Sequence, residues 1–135
     1  MNQSYKLSIT KPVAGRTGRL ETSRSEVQSS ADVRRAVAEC HHAPCLISLS
    51  TTDGNPVLYF MIDGDRAHLS AWEHPELCHY LTSDPPLVAD EFIDLGWNSY
   101  PAWSVTPLDK ALSAAELYVD ERKLADWGKW RREEL

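Results

Sequence analysis

The sequence predicts an α+β domain in which an antiparallel sheet of four to five strands carries two main helices and one short helix. Three observations lead to this fold class. Over residues 45–72, apolar residues alternate or run together, and tight turns divide the segment into three strand-like parts. Apolar residues follow a helical spacing twice, over 31–41 and 107–120. The length of 135 residues suits a single domain that spans 1–135.

The first 28 residues are polar and basic, and we expect an edge strand followed by a flexible arm. Residues 5–9 alternate between apolar and polar types, which is typical of a strand that buries one face. Residues 11–29 show no apolar periodicity and are interpreted as a loop. A Ser–Ser–Ala–Asp cap sequence then predicts the first helix at 31–41, which ends before Pro44.

The centre of the chain predicts a meander of three antiparallel strands. Residues 45–50, 57–62 and 66–72 are rich in apolar residues, and Asp–Gly turns separate these segments. A short helix is predicted next, because Pro75 suits a first helical turn and apolar residues follow at helical spacing. This short helix is expected to end at Asp84, before two prolines.

The last third combines a strand, an aromatic loop, a well-marked helix and a final strand. Residues 91–95 are predicted to be a fourth strand, and residues 96–103 a structured loop. A Thr–Pro–Leu–Asp sequence marks the start of the second main helix, whose apolar stripe covers 107–120. Residues 127–132 alternate again and are expected to add a last short strand.

Charge is distributed unevenly along the chain, whose formal net charge is −6. Residues 1–44 carry seven basic and four acidic side chains, whereas residues 53–120 carry twelve acidic and two basic ones. An acidic region of this kind repels the phosphates of nucleic acids and attracts basic proteins. A net charge far from zero also keeps a protein soluble, and this explains the excess of acids equally well. We therefore expect no nucleic-acid partner.

The sequence predicts no association with a membrane. No apolar run approaches the roughly 18 residues of a transmembrane helix. Residues 1–15 lack the apolar core of a signal peptide. The three cysteines cannot all pair within one chain, which fits a reducing compartment. A cytoplasmic location is the expectation.

A segment rich in cysteine and histidine is the strongest candidate for metal chemistry, but its spacing argues against a site. Structural zinc sites use two closely spaced pairs of ligands. The candidate ligands are Cys40, His41, His42, Cys45, Cys78 and His79. The last two are the only source of a second pair, and their separation from the first four fits no common zinc pattern. We expect buried thiols beside solvated imidazoles, with no metal and no cofactor.

Motifs of catalysis are missing from the sequence. It contains no phosphate-binding glycine loop, no nucleophile elbow and no cysteine in a protease context. We therefore expect no enzymatic activity. Two alternatives stay open: a small metal-dependent hydrolase that uses the cysteine and histidine cluster, and a regulatory binding subunit. An enzyme would gather its titratable groups in one pocket, whereas a binding protein would spread acids over one face.

Five tryptophans in 135 residues indicate a binding surface. Tryptophan is enriched at the centres of protein interfaces, although core packing explains a single ring equally well. We predict that acids steer a basic partner and that aromatic rings anchor it. The predicted partner-binding residues are Asp63, Asp65, Trp72, Glu73, Asp90, Glu91, Asp94, Trp97, Tyr100 and Trp103.

The order of the segments is similar to that of a known family. Residues 56–69 resemble its strand meander, in which a turn of Gly and Asp separates two apolar segments. Residues 105–118 resemble its helix rich in Leu and Ala, and residues 124–130 its closing segment with a terminal tryptophan. On these segments the chain resembles the first numbered immunity-protein family of the bacterial polymorphic-toxin systems.

This resemblance implies inhibition by binding. Immunity proteins of that family bind a secreted toxin, often a nucleic-acid deaminase, and cover its active site without catalysis of their own. A toxin that handles nucleic acid carries basic surface, so an acidic inhibitor is attracted to it. We therefore expect the chain to occlude the active site of a cognate toxin that is a deaminase or a nuclease.

Overall fold

A large antiparallel sheet forms the frame of the molecule. The computed structural model describes residues 4–13, 18–40, 44–83 and 91–134. Within them, eight strands join one sheet. These strands are β1 (Tyr5–Pro12), β2 (Leu20–Val27), β3 (Cys45–Ser50), β4 (Pro56–Asp63), β5 (Arg66–His74), β6 (Leu77–Leu81), β9 (Val105–Pro107) and β10 (Trp130–Glu134). Two more strands, β7 (Phe92–Leu95) and β8 (Asn98–Pro101), form a separate hairpin.

Three further elements complete the described structure. They are helix α1 (Ser30–Glu39), helix α2 (Leu108–Glu121) and a 3₁₀ turn (Ala102–Ser104). The sheet order is β10-β6-β5-β4-β3-β1-β2. β9 pairs with the first part of β5 and β6 with its second part. The two short strands therefore share one side of β5.

The predicted sheet of four to five strands with a short third helix is wrong in its strand count. Residues predicted as the short helix form β6, because their backbone pairs with β5 on one side and β10 on the other. Residues predicted as a flexible arm include β2, which pairs with β1 along eight residues. Almost every side chain of β2 is exposed, so apolar periodicity could not reveal it.

Other elements lie where the sequence predicted them. β3, β4 and β5 form the predicted antiparallel meander. Both main helices are present, and β10 is the predicted last strand. The predicted fourth strand exists as β7, but it pairs with β8 and not with the large sheet. The predicted aromatic loop contains β8 and the 3₁₀ turn.

Both helices pack on the same face of the sheet and bury the main core there. Alternate residues of the central strands, such as Ile47, Phe60 and Leu69, are fully buried in this core. α2 contributes small side chains, including Ala111 and Ala115, which allow the helix to approach β5 closely. The helices also bind each other through an ion pair between Arg34 and Glu116.

The start of α2 differs from the predicted cap. Thr106 was expected to cap the helix, but it belongs to β9 and pairs with Ala67 of β5. Its hydroxyl oxygen is buried and has no partner among the described residues. The backbone N–H of Leu108 instead donates to the carbonyl of Asp65, at 2.7 Å. The helix therefore begins at Leu108, where the pairing of β9 with β5 ends.

A disulfide joins the end of α1 to the start of β3. It links Cys40 and Cys45, whose Cα atoms lie 6.5 Å apart, and leaves Cys78 as a buried free thiol. The expectation of buried thiols is wrong for Cys40 and Cys45, and the odd number of cysteines does not indicate a reducing compartment. His41 and His42 lie outside the described residues. Over the described ranges, neither helix has the length and apolarity to cross a bilayer.

The β7–β8 hairpin covers only the middle of the opposite face. Leu95 of the hairpin packs there with Met61 of β4 and Val105 of β9. The carboxylate of Asp63 accepts a hydrogen bond from the backbone N–H of Gly96, at 2.9 Å. Gly96 has a φ of +61°, and a Cβ at this position would lie 2.6 Å from the Cβ of Pro44. The hairpin turn therefore requires glycine for two reasons.

Replacing Gly96 by alanine tests this close packing. We expect Gly96→Ala to lower the free energy of unfolding by about 2–4 kcal/mol, because left-handed backbone and overpacking act together. The matched control is Gly64→Ala, since Gly64 has a similar φ of +65° but open space around it. The control is expected to lose only about 1–2 kcal/mol. Equal losses in urea unfolding would contradict the packing of the hairpin turn against Pro44.

Candidate functional site

Aromatic rings are concentrated on the sheet face that the helices do not cover. Alternation along β5 places Ala67, Leu69 and Ala71 toward the helices, and the residues between them on the opposite face. Neighbouring strands and the segment after β8 add further rings. We name this set the aromatic row: Tyr59, His68, Trp72, Tyr80, Tyr100 and Trp103.

The rings of the aromatic row contact one another. The imidazole of His68 stacks on Tyr100 with ring centroids 4.1 Å apart, and it lies 5.5 Å from the centroid of Tyr80. Tyr80 in turn meets the ring of Trp103 edge to face, at 6.0 Å. At the other end of the row, Trp72 meets Tyr59 in the same way, at 5.8 Å. These contacts restrict the orientations of the rings.

One end of the row forms a cleft of about 300 Å³. We name it the aromatic cleft, and its lining residues are His68, Tyr80, Tyr100, Pro101, Trp103, Ser104, Arg131 and Glu133. β10 supplies the two charged residues, because it pairs with β6 and sets Arg131 beside Tyr80 and Glu133 beside Cys78. The guanidinium of Arg131 lies over the ring of Trp103, 4.5 Å from its centroid.

His68 and Ser104 are buried polar residues of the cleft, and they contact each other. Nδ1 of His68 lies 3.0 Å from the hydroxyl oxygen of Ser104, which itself donates to the carbonyl of Pro101. We assign the single hydroxyl proton of Ser104 to that bond, which assigns the ring proton of His68 to Nδ1 and leaves the lone pair on Nε2. Burial lowers the pKa of His68 to about 4, so the imidazole is neutral near pH 7.

Three further titratable groups around the cleft, Tyr80, Tyr100 and Cys78, are neutral as well. Burial raises the pKa of the phenols of Tyr80 and Tyr100 and that of the Cys78 thiol. The protonated thiol is a poor nucleophile. Arg131 and Glu133 are therefore the charged groups that line this part of the described structure.

Three of the predicted partner-binding residues lie in the aromatic row: Trp72, Tyr100 and Trp103. Three others lie at the end of the sheet where β4 turns into β5. There, Asp63 accepts the hydrogen bond from Gly96, which precedes the half-exposed ring of Trp97. Asp65 is exposed in the same turn. The prediction of these residues as contacts of a partner stays a prediction.

The remaining predicted acids do not gather around the aromatic row. Glu73 lies on the helix-covered face, where it binds His79 with 2.6 Å between Oε1 and Nε2. Asp94 is an exposed hairpin residue whose carboxylate accepts a hydrogen bond from Ser99. Glu91 is exposed beside the hairpin, and Asp90 lies outside the described residues. The structure therefore separates the predicted anchors from most of the predicted acids.

Sequence reasoning missed several residues of the cleft. The alternation of residues 66–72 in the sequence puts His68 on the same face as Trp72, so this pattern could have identified His68. Tyr80 was assigned to a helix, which hid the side of the sheet that it faces. Arg131 and Glu133 reach the cleft through the pairing of β10 with β6, for which the sequence contains no local signal.

The described residues offer little for metal chemistry or nucleophilic catalysis. No group of three or more His, Cys, Asp or Glu side chains among them is placed to hold a metal ion. Cys40 and Cys45 are bonded to each other and are not available as zinc ligands. Ser104 lies next to a histidine, but it is buried and its proton is donated to a carbonyl, so it does not fit an activated nucleophile.

The lowered pKa of His68 predicts a loss of stability in mild acid. The unfolded chain binds a proton at this residue below about pH 6.5, whereas the folded chain does so only near pH 4. Stability therefore falls as the pH falls through this window, by about 2–3 kcal/mol between pH 7 and pH 4.5.

The test is urea unfolding of the wild type, His68→Phe and His74→Gln at both pH values. Between pH 7 and pH 4.5, the free energy of unfolding of His68→Phe is expected to fall by about 2–3 kcal/mol less than that of the wild type. His74 is exposed, so His74→Gln is expected to behave as the wild type does. The same acid dependence in all three proteins would contradict the buried, neutral state of His68.

Comparison with known proteins assigns no family. No family model matches the chain, and neither a curated protein nor a solved structure matches it. The function must therefore be argued from the geometry and charge of this chain.

Proposed function

We propose that this protein is an immunity protein that binds a cognate secreted toxin, a deaminase or a nuclease, and occludes its active site. The resemblance of residues 56–69, 105–118 and 124–130 to an immunity family motivates the choice of partner. The observation that carries the proposal is the aromatic row, which lies on the sheet face that the helices leave uncovered. The proposed mechanism is steric occlusion by this face.

The aromatic row has the properties of an interface centre. Its rings are held by mutual contacts, and the indole N–H of Trp72 donates to the hydroxyl of Ser70, at 3.1 Å. Tyr59 is 38% exposed, and Trp72 and Trp103 are partly exposed. A partner can therefore cover large rigid rings with little loss of conformational entropy, which is how hot-spot residues gain their binding energy.

Charge supports a basic partner. The net charge of the chain is −6, and exposed acids of the β4–β5 turn and the hairpin lie at one end of the sheet, among them Asp65 and Asp94. Charges at the rim of an interface speed the encounter with an oppositely charged protein. A toxin that binds nucleic acid is a protein of that kind.

The alternative of a metal-dependent hydrolase loses its main support. It required the cysteine and histidine cluster, of which Cys40 and Cys45 form a disulfide and Cys78 is a buried thiol on another strand. The alternative of a regulatory binding subunit uses the same exposed face, but no specific observation favours it.

Substitution of the anchors tests the proposal. We expect Trp72→Ala and Trp103→Ala each to raise the dissociation rate of the toxin complex about 30-fold or more, which corresponds to about 2 kcal/mol. The control is Trp127→Ala, because Trp127 is 52% exposed and lies outside the aromatic row. The measurement is surface-based kinetics with a catalytically inactive toxin, after each variant is shown to fold. Dissociation rates that stay at the wild-type value would contradict the proposal.

Charge reversal tests the steering role of the acids. The double variant Asp65→Lys and Asp94→Lys is expected to lower the association rate several-fold, and the loss should shrink at 1 M salt, where the Debye length is about 3 Å. The double variant Glu39→Lys and Glu121→Lys is the control, since it changes the net charge by the same amount and both residues end helices on the helix-covered side. If the acids and this control change the association rate equally, net charge accounts for the effect and local steering does not.

A further inference from the structure

We infer that the aromatic cleft receives an arginine side chain of the protein partner. This inference depends on the proposed function and names the chemical group that the exposed face recognises. It is carried by three features of the cleft: aromatic walls, a free carboxylate at the rim and an uncharged acceptor at the floor. The sequence predicted two of the rings, Tyr100 and Trp103, as binding residues, but neither the carboxylate nor the acceptor.

The walls suit a flat cation. Tyr80, Tyr100 and Trp103 line a volume of about 300 Å³, which is enough for one large side chain. The faces of aromatic rings carry partial negative charge and attract a guanidinium, which also stacks on them. The chain itself demonstrates this affinity, because the guanidinium of Arg131 already lies over the ring of Trp103.

The rim supplies an opposite charge. Glu133 is exposed and lines the cleft, and it forms no ion pair with any of the described residues. Its neighbour on β10, Glu134, is bound to Arg132 at 3.0 Å, and alternation places that pair on the other face. The carboxylate of Glu134 is thus paired with an arginine of the same strand, whereas that of Glu133 lines the cleft. An incoming guanidinium can pair with it.

The floor supplies a hydrogen-bond acceptor without positive charge. With the ring proton assigned to Nδ1, which faces Ser104, Nε2 keeps its lone pair. A guanidinium has several N–H donors in one plane, and it can reach a rim carboxylate and a ring nitrogen together. A phosphate or carboxylate would meet one cation, Arg131, which already lies over the ring of Trp103, together with the negative charge of Glu133 and a net charge of −6.

The test uses a small probe and the full chain, with no toxin. Ring-proton NMR signals of Trp103 and His68 are followed while N-acetyl-arginine amide is added. We expect saturable shifts with a dissociation constant in the millimolar range. N-acetyl-citrulline amide has the same shape without the charge, and we expect it to bind about five-fold or more weakly. Inorganic phosphate is expected to produce no saturable shift of these rings.

Two adjacent carboxylates provide matched variants. Glu133→Gln is expected to weaken binding of the arginine probe about three-fold or more, whereas Glu134→Gln should bind it as the wild type does. Both residues are exposed, so both variants should keep the wild-type unfolding midpoint. The inference is overturned if the arginine probe shows no saturable binding up to about 50 mM, well above the expected millimolar dissociation constant. It is also overturned if the citrulline probe binds with equal affinity or if the two variants have equal effects. Saturable binding of phosphate would overturn it as well.

The inference and the proposed function fail separately. If the arginine probe does not bind but Trp72→Ala still raises the dissociation rate of the toxin, the cleft is not an arginine site and the proposed function stands. If the probe binds as expected but neither tryptophan variant affects the toxin complex, the cleft recognises an arginine of some other partner.

Discussion

Two short helices are too small to cover both faces of an eight-stranded sheet, and the rest of the structure follows from this limit. α1 has 10 residues and α2 has 14, which corresponds to about 15 and 21 Å of helix. The seven strands that lie side by side extend about 30 Å at the usual strand spacing. Both helices pack on one face, and the chain must give the other face side chains that tolerate water or cover one another.

The uncovered face meets this demand in three ways. Over β1, β2 and β3 it carries short polar side chains, such as Ser8 and Ser48, which hydrogen-bond each other. Over β4 the hairpin covers the apolar side chain of Met61. Over β5 and β6 the aromatic rings cover one another in part and stay partly exposed. This third region gathers several partly exposed rings that contact one another, and for that reason we propose that the partner binds there.

Side-chain burial decided how much of the fold the sequence could predict. β1 and β3–β5 bury one face or both, so their apolar patterns predicted them. β2 buries only Val27, and its pairing with β1 is a property of the backbone that leaves no apolar pattern. In β6, Leu77 and Leu81 are four residues apart, a spacing that fits a helix and a strand equally well. Pairing with β5 and β10 decides between them.

The same reasoning applies to the candidate site. Aromatic composition was enough to predict Trp72, Tyr100 and Trp103, because large rings near acids favour a binding surface. It could not predict that Glu73 would turn to the helix-covered face and bind His79. The cleft also needs Arg131 and Glu133 of β10. They reach it because β10 pairs with β6, and no local pattern in the sequence predicts that long-range pairing.

The central claim is that the uncovered face binds the partner, and a footprint of the complex tests it most directly. Hydroxyl-radical labelling of the free chain and of its complex with the inactive toxin would measure the reactivity of each aromatic ring. The account predicts protection of Tyr59, Trp72 and Trp103, with Trp127 as reactive as in the free chain. Protection of Trp127 or of the outer surfaces of α1 and α2, with the aromatic row unchanged, would contradict it.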